Sequence, residues 1–171
     1  MAIPKKPPQP KLSPARQFDA LKHLHLNGFE GEMGPNSWTA AFDLLPTPVS
    51  RTYRVQIDFY GDRSPKIYVL SPDIFALSTG RKPPHLYTPH EHPAHLCLFH
   101  PDRGDWARHM RVSETIVPWA AEWLLHFEVW LATNEWHGGG EHPSGRTRGG
   151  YAQRLENRWR QQRISTMHGG T

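Results

Sequence analysis

The 171-residue chain has a single cysteine, Cys97. One thiol excludes an internal disulfide framework and any zinc site built from cysteines alone. No apolar run approaches the ~20 residues that a membrane helix needs. The Pro- and Lys-rich segment Met1 to Pro10 lacks an apolar core of the kind a secretory signal carries. No Gly-rich stretch follows a strand-like run, so no nucleotide cofactor is expected, and none of another kind. These absences together fit a cytoplasmic protein. Apolar residues are also sparse, at 37% of the chain, against roughly 45–50% in globular domains. Seven Trp, seven Phe and five Tyr offset this, since aromatics bury the most area per residue.

The charge is uneven. Residues 1–26 and 141–171 are each net +4, while residues 27–140 are net −4. Basic ends on an acidic body do not make a nucleic-acid-binding core; they read as solvated tails, or as tails that touch an acidic partner. The expected organisation is an extended Pro/Lys-rich arm over 1–12, one domain over 13–142, and a basic tail over 143–171 that is helical in part, around Tyr151 to Ile164.

Within the domain, Ser13-Pro14 opens a helix with Ser as N-cap and Pro in the first turn, and Asn27-Gly28 closes it. Trp38 to Leu44 and Tyr53 to Phe59 alternate apolar and polar residues, which predicts strands with one face buried and one wet. Ile67-Tyr68-Val69-Leu70 is a third, short strand after a turn at Gly61 to Ser64. The three form an antiparallel meander. Residues 71–112 are punctuated by prolines and show no clear periodicity, yet they carry Leu86, Tyr87, Leu96, Phe99 and Trp106. Long ordered loops of this kind are commonly functional. Pro118 to about Thr133 is the clearest helix; Trp119, Trp123, Phe127, Trp130 and Leu131 form one broad apolar stripe, read as core.

Two features could carry chemistry. Cys97, between Leu96 and Leu98, is either a small buried hydrophobe or a nucleophile on a functional loop. Histidine is abundant, with twelve residues, six of them (His85, His90, His92, His95, His100 and His109) around Cys97. Imidazole and thiolate together could hold zinc, but His90-Glu91-His92-Pro93-Ala94-His95 is not the helical H-E-x-x-H pattern. Asp102 and Asp105 could orient an amine or a water; as turn carboxylates around Gly104 they have a purely structural reading.

The order of pieces adds to this. An N-terminal helix leads to an antiparallel meander, a Pro-rich stretch, Leu96-Cys97-Leu98, Trp106 nine residues later, and a Thr-led helix with buried aromatics. This resembles the ubiquitin-conjugating enzymes, whose thioester cysteine stands in an apolar-Cys-Leu tripeptide. The string from Thr115 to Leu124, with Glu128, Trp130, Leu131 and Trp136-His137-Gly138-Gly139-Gly140, is similar to small bacterial homologues of antiphage (CBASS) operons beside a cGAS-like nucleotidyltransferase. The resemblance covers about residues 13–142. It implies an α+β, ubiquitin-conjugating (UBC-like) fold: N-terminal helix, antiparallel β-meander, long active-site loop and C-terminal helix.

The resemblance also implies Cys97 as thioester nucleophile and the C-terminus of the nucleotidyltransferase as acyl donor. An activating enzyme, if one is used, comes in trans; from the composition and charge pattern above, no membrane partner is expected and nucleic acid is not the expected partner. The eukaryotic His-Pro-Asn tripeptide has only His92-Pro93-Ala94 as counterpart, so His92 or His95 is expected to supply the oxyanion or thiolate support. The rival readings are an inactive binding module with Cys97 in the core, a zinc hydrolase built on the histidines, and a nucleic-acid binder using the basic tails.

Overall fold

Residues 9–88 and 90–139 are described by the computed structural model. The helix expected around Tyr151 to Ile164, the tail that contains it and the first eight residues of the arm lie outside the described residues. The elements run in the order α1 (Pro14–Lys22), β1 (Glu30–Gly34), β2 (Ser37–Leu44), β3 (Tyr53–Tyr60), β4 (Lys66–Ser71), α2 (Ile74–Ser78), β5 (Ala94–His95) and α3 (Ile116–Thr133). Short 3-10 turns at Pro101–Arg103 and Val112–Glu114 precede α3. The strands form one antiparallel sheet in the order β1-β2-β3-β4-β5. The class is α+β. Among the described residues no helix is long and apolar enough to cross a membrane.

The period-two pattern of β2 is realised directly: Trp38, Ala40, Phe42 and Leu44 are buried and pair across to Phe59, Ile57, Val55 and Tyr53 of β3. Eight apolar side chains thereby meet on one face, and Trp38 stacks on Phe59 at 5.1 Å. The other face of β3 departs from expectation. Gln56 and Asp58 are buried as well, not wet. They are covered polar residues that satisfy one another, with Gln56 Nε2 donating to Asp58 Oδ1 at 2.6 Å and Thr39 Oγ1 to the same oxygen at 3.2 Å.

Two strands have no sequence signature. β1, Glu-Gly-Glu-Met-Gly, lacks apolar alternation because it is an exposed edge held by its ladder to β2. Gly31 is required there: a Cβ would stand 2.7 Å from the Phe18 ring of α1. β5 is two residues long and is defined by pairing with β4 alone.

α1 starts as expected, with Ser13 Oγ accepting from Arg16 N–H, but ends at Lys22, five residues before Asn27. His25 takes a left-handed φ of 50°, and the Asn27 carbonyl already accepts from the Asp43 amide at 2.8 Å. Pairing with β2 therefore ends the helix before Asn27-Gly28 can. α3 starts two residues earlier than expected, at Ile116. Thr115 stands at its N-cap without capping it. Its hydroxyl instead donates to Arg111 O at 2.7 Å and accepts from Trp106 Nε1 at 3.2 Å.

Two polar side chains fasten the helices. Glu128 of α3 accepts from Tyr53 Oη at 3.0 Å and from the Arg51 amide at 2.8 Å. Gln17 of α1 is fully buried; its Nε2 donates to Met110 O at 2.8 Å and its Oε1 accepts from the Val112 amide at 2.9 Å. Gln17 thus satisfies both backbone groups of the segment that leads into α3. Stranding a buried donor or acceptor costs about 1–3 kcal/mol each. Gln17→Ala should therefore lower the unfolding free energy by about 2–4 kcal/mol, read as a shift of the urea midpoint. A midpoint within error of the wild type would contradict this role.

Candidate active site

Cys97 stands where the chain leaves the sheet. Tyr68 and Val69 of β4 pair with His95 and Ala94 of β5, the Leu96 amide donates to Ile67 O at 3.0 Å, and Leu86 bridges to Leu96. The Tyr87 amide reaches His95 O, and the Cys97 amide reaches His85 O, each at 3.0 Å. Leu86 and Leu96 are buried and anchor these two stretches in the core. The His85 carbonyl also accepts from Trp123 Nε1 of α3 at 3.2 Å. His85 itself is buried at a left-handed φ of 54°, a conformation that costs about 1 kcal/mol or more in a non-glycine residue. Its carbonyl, bonded from the loop and from the helix together, holds it there.

The Cys97 side chain is half-buried and opens on a cleft of about 300 Å³, at the small end of ligand-binding cavities. One wall is a face of α3: Trp119, Glu122, Trp123 and His126, at i, i+3, i+4 and i+7. The second wall is Trp136 with Gly138 and Gly139, from the segment that folds back after α3. Trp136 lies against His85, Trp123 and His126 with ring centroids 5.4, 5.5 and 5.9 Å apart. A Cβ on Gly138 would stand 2.7 Å from Trp136 Nε1 and 3.0 Å from His126 Cδ2, so only glycine permits this approach.

The turn that sends the chain back is capped by Arg81. Its Nη2 donates to Leu131 O at 3.0 Å and its Nη1 to Asn134 Oδ1 at 3.2 Å, with the guanidinium 4.6 Å above the Trp130 ring. A cation at the helix C-terminus also suits the helix dipole.

Burial pushes the Cys97 thiol above its ordinary value, and a hydrogen bond with the Tyr87 hydroxyl opposes this in part. The same hydroxyl donates to Phe99 O at 3.0 Å. Its one proton cannot serve both, so supporting a thiolate means turning from that carbonyl. Across the cleft His126 Nε2 lies 3.8 Å from Glu122 Oε1.

A half-buried, lone cysteine between aromatic walls, one of which holds a histidine and a carboxylate, has the residue types that nucleophilic chemistry uses. The sequence profile of the Type II CBASS E2 protein family matches residues 17–143, which spans the sheet, the Cys97 loop and both walls. The chain belongs to this family. No curated protein matches the sequence.

As a member of the Type II CBASS E2 proteins, the chain is an E2-like, ubiquitin-conjugating-like antiphage protein of a system with further protein components. The residues expected to surround Cys97 are placed unevenly. His95 is buried between Tyr68 and Tyr87, at 4.7 and 4.6 Å. Burial, and then the charge of Lys66, push it down to about 3, so it is neutral at pH 7 and brings no positive charge to the thiol. His92 faces away to α2, with Nδ1 3.8 Å from Asp73 Oδ1, the carboxylate that caps that helix. Neither histidine lines the cleft; His85 and His126 do. Asp105 closes a turn by accepting from the His100 amide at 3.0 Å, and Asp102 lies in the Pro101–Arg103 turn. Among the described residues no three His, Cys, Asp or Glu side chains gather as a metal site.

The residues not anticipated are Tyr87, Glu122, His126 and the reuse of Trp119 and Trp136; His85, named only as one of six histidines near Cys97, enters by its backbone carbonyl and as part of the lining. A signal existed for two of them. Glu122 and His126 stand one i, i+4 step apart beside the apolar stripe, a polar pair at helical spacing next to a buried face. Tyr87 and His85 depend on a loop path that no periodicity encodes.

Two outcomes follow. Alkylation of Cys97 by iodoacetamide should be slow at neutral pH and rise only above the ordinary thiol range. Tyr87→Phe should shift that rise to still higher pH and slow labelling several-fold; faster labelling would contradict the hydrogen bond. For His95, a folded value near 3 against ~6.5 in the unfolded chain makes its contribution complete above the unfolded value. That contribution is lost as pH falls towards the folded one, by about 2 kcal/mol at pH 5. His95→Phe should flatten the acid side of the stability–pH curve, measured by urea unfolding, and an unchanged slope would count against a buried neutral imidazole.

Proposed function

We propose that the protein is a thioester-forming conjugating-like transferase on a UBC-like fold, with Cys97 as nucleophile. It carries the C-terminal carboxyl of a partner protein, by family resemblance the cGAS-like cyclic-nucleotide synthase, and so regulates antiphage signalling. The observation that carries this reading is the position of the only cysteine: in a cleft between aromatic walls, not in the core.

The chemistry suits such a site. In transthiolation the Cys97 sulfur forms a bond to the acyl carbon while the donor's C–S bond breaks and its thiol leaves. Bond types are conserved, so little free energy changes and strong activation is not needed. The thiolate is the attacking form. Burial keeps Cys97 a thiol at rest, which protects it from oxidation and leaves its deprotonation to the encounter with the donor. An activating enzyme in trans fits this division of labour. Tyr87, turned from Phe99 O, supports the thiolate. His95 acts at one remove by packing on the Tyr87 ring.

The test is the intact mass of tagged protein from its native cells during infection, beside Cys97→Ala. An adduct that survives phosphine, is cleaved by neutral hydroxylamine and is absent from the variant is expected, and its mass identifies the carried protein. If no such adduct forms and Cys97→Ala protects cells as well as the wild type, the protein is a binding module and the transferase reading fails.

A further inference from the structure

Beyond carrying an acyl group, such a site has to release it, and the cleft holds a residue suited to that step. We propose that His126 is the catalytic base for transfer of the acyl group from Cys97 to an amine, with Glu122 positioning its ring. The inference rests on the thioester reading above and extends it from charging to discharge.

Three observations support it. His126 and Cys97 line the same cleft of about 300 Å³, so an amine that enters to meet the thioester also meets the imidazole. The ring is held on several sides. Glu122 Oε1 is 3.8 Å from Nε2, Trp136 packs at 5.9 Å, and the glycine at position 138 lets the returning chain close against Cδ2. Glu122 and His126 also stand at i, i+4 on the wall-forming face of α3, so the helix fixes their spacing. In the tautomer with its proton on Nε2, on the Glu122 side, the imidazole keeps a lone pair on Nδ1. Glu122 is largely exposed while His126 is not, with side-chain exposures of 68% and 24%. The carboxylate therefore sits at the rim, and the imidazole further in.

The step balances. A neutral amine adds through nitrogen to the thioester carbonyl carbon. The new C–N bond forms, His126 Nδ1 takes one N–H proton, and the C–S bond breaks with its electron pair left on Cys97. The imidazolium then returns the proton to the thiolate, giving an amide and the free thiol. His85, the other cleft histidine, is buried, and His126 is the more open of the two to an incoming amine. His126 thus stands out as the base.

The test uses the full-length protein charged on Cys97 by exchange with a small acyl thioester, N-acetylglycine on mercaptoethanesulfonate. Discharge is followed by intact mass on the charged fraction alone, so differences in charging do not enter. With free lysine as acceptor, His126→Ala should discharge about a hundredfold more slowly than wild type, the range expected of a general base. Glu122→Gln, a change on an exposed side chain, should slow discharge several-fold. Added imidazole should restore the His126→Ala rate beyond its effect on the small thioester itself, which a merely structural histidine would not show. Hydroxylamine, a strong nucleophile already neutral at pH 7, should release the acyl group from wild type and variant at similar rates. Wild-type discharge to lysine by His126→Ala would overturn the proposal while leaving the carrier reading intact. Failure of wild-type Cys97 to take up the acyl group from any thioester donor would overturn both.

Discussion

One backbone carbonyl joins the parts of this molecule that matter for its chemistry. His85 O accepts the amide of Cys97 and the indole N–H of Trp123. The first bond fixes the thiol to the loop that carries it; the second fixes that loop to α3. Without them the Cys97 stretch is a short tail on a two-residue strand, and the helix is only a lid on the sheet. The left-handed backbone of His85 is the cost of aiming one carbonyl at both partners. The order of burial supports the arrangement: Leu86 and Leu96 lie in the core, and the half-buried thiol follows directly.

The same joint explains why the aromatics are so dense. Trp123 belongs to the core and to the cleft wall at once, stacked on Phe127 on one side and meeting Trp136 on the other. A chain with few aliphatic residues thereby builds a core and a binding wall from one set of side chains. The arrangement shields the sulfur in part from water, which pushes the thiol above its ordinary value. Arg81 keeps the second wall in register by capping the end of α3. The chain belongs to the Type II CBASS E2 family, and the carrier role proposed for it suits a thiol that is quiet until engaged.

Much of the frame was legible in the sequence, and for stated reasons. β2 reads from Trp38, Ala40, Phe42 and Leu44 because a sheet with one buried face imposes period two. α3 reads from its aromatic stripe. β1 carries no apolar alternation because its residues are exposed, and it is placed by its ladder to β2 and by the Glu30–Arg54 ion pair at 2.9 Å, which periodicity does not encode. The end of α1 was misplaced because the Asn27 carbonyl is claimed by a strand far away in sequence.

In the site, Cys97 could be singled out as the lone thiol, but its neighbours could not. Proximity in sequence pointed to His92 and His95. One pairs with Asp73 at the surface and the other stacks between tyrosines. Of the two histidines that do line the cleft, His85 lies upstream on the adjoining stretch and His126 is twenty-nine residues beyond Cys97, brought there by packing of α3. Chain distance predicts little about contacts made between elements.

In the proposed function, an acyl group on Cys97 lies between the walls formed by Trp119, Trp123 and Trp136. Fluorine NMR of fluorotryptophan-labelled protein, before and after charging Cys97 with a small acyl thioester, tests it directly. Resonances of those three tryptophans should move, while those of Trp38 and Trp106, buried away from the cleft, should hold. Charging that leaves the cleft tryptophans unmoved, or that shifts the core ones equally, would show that the acyl group lies elsewhere and would contradict the assignment of the site.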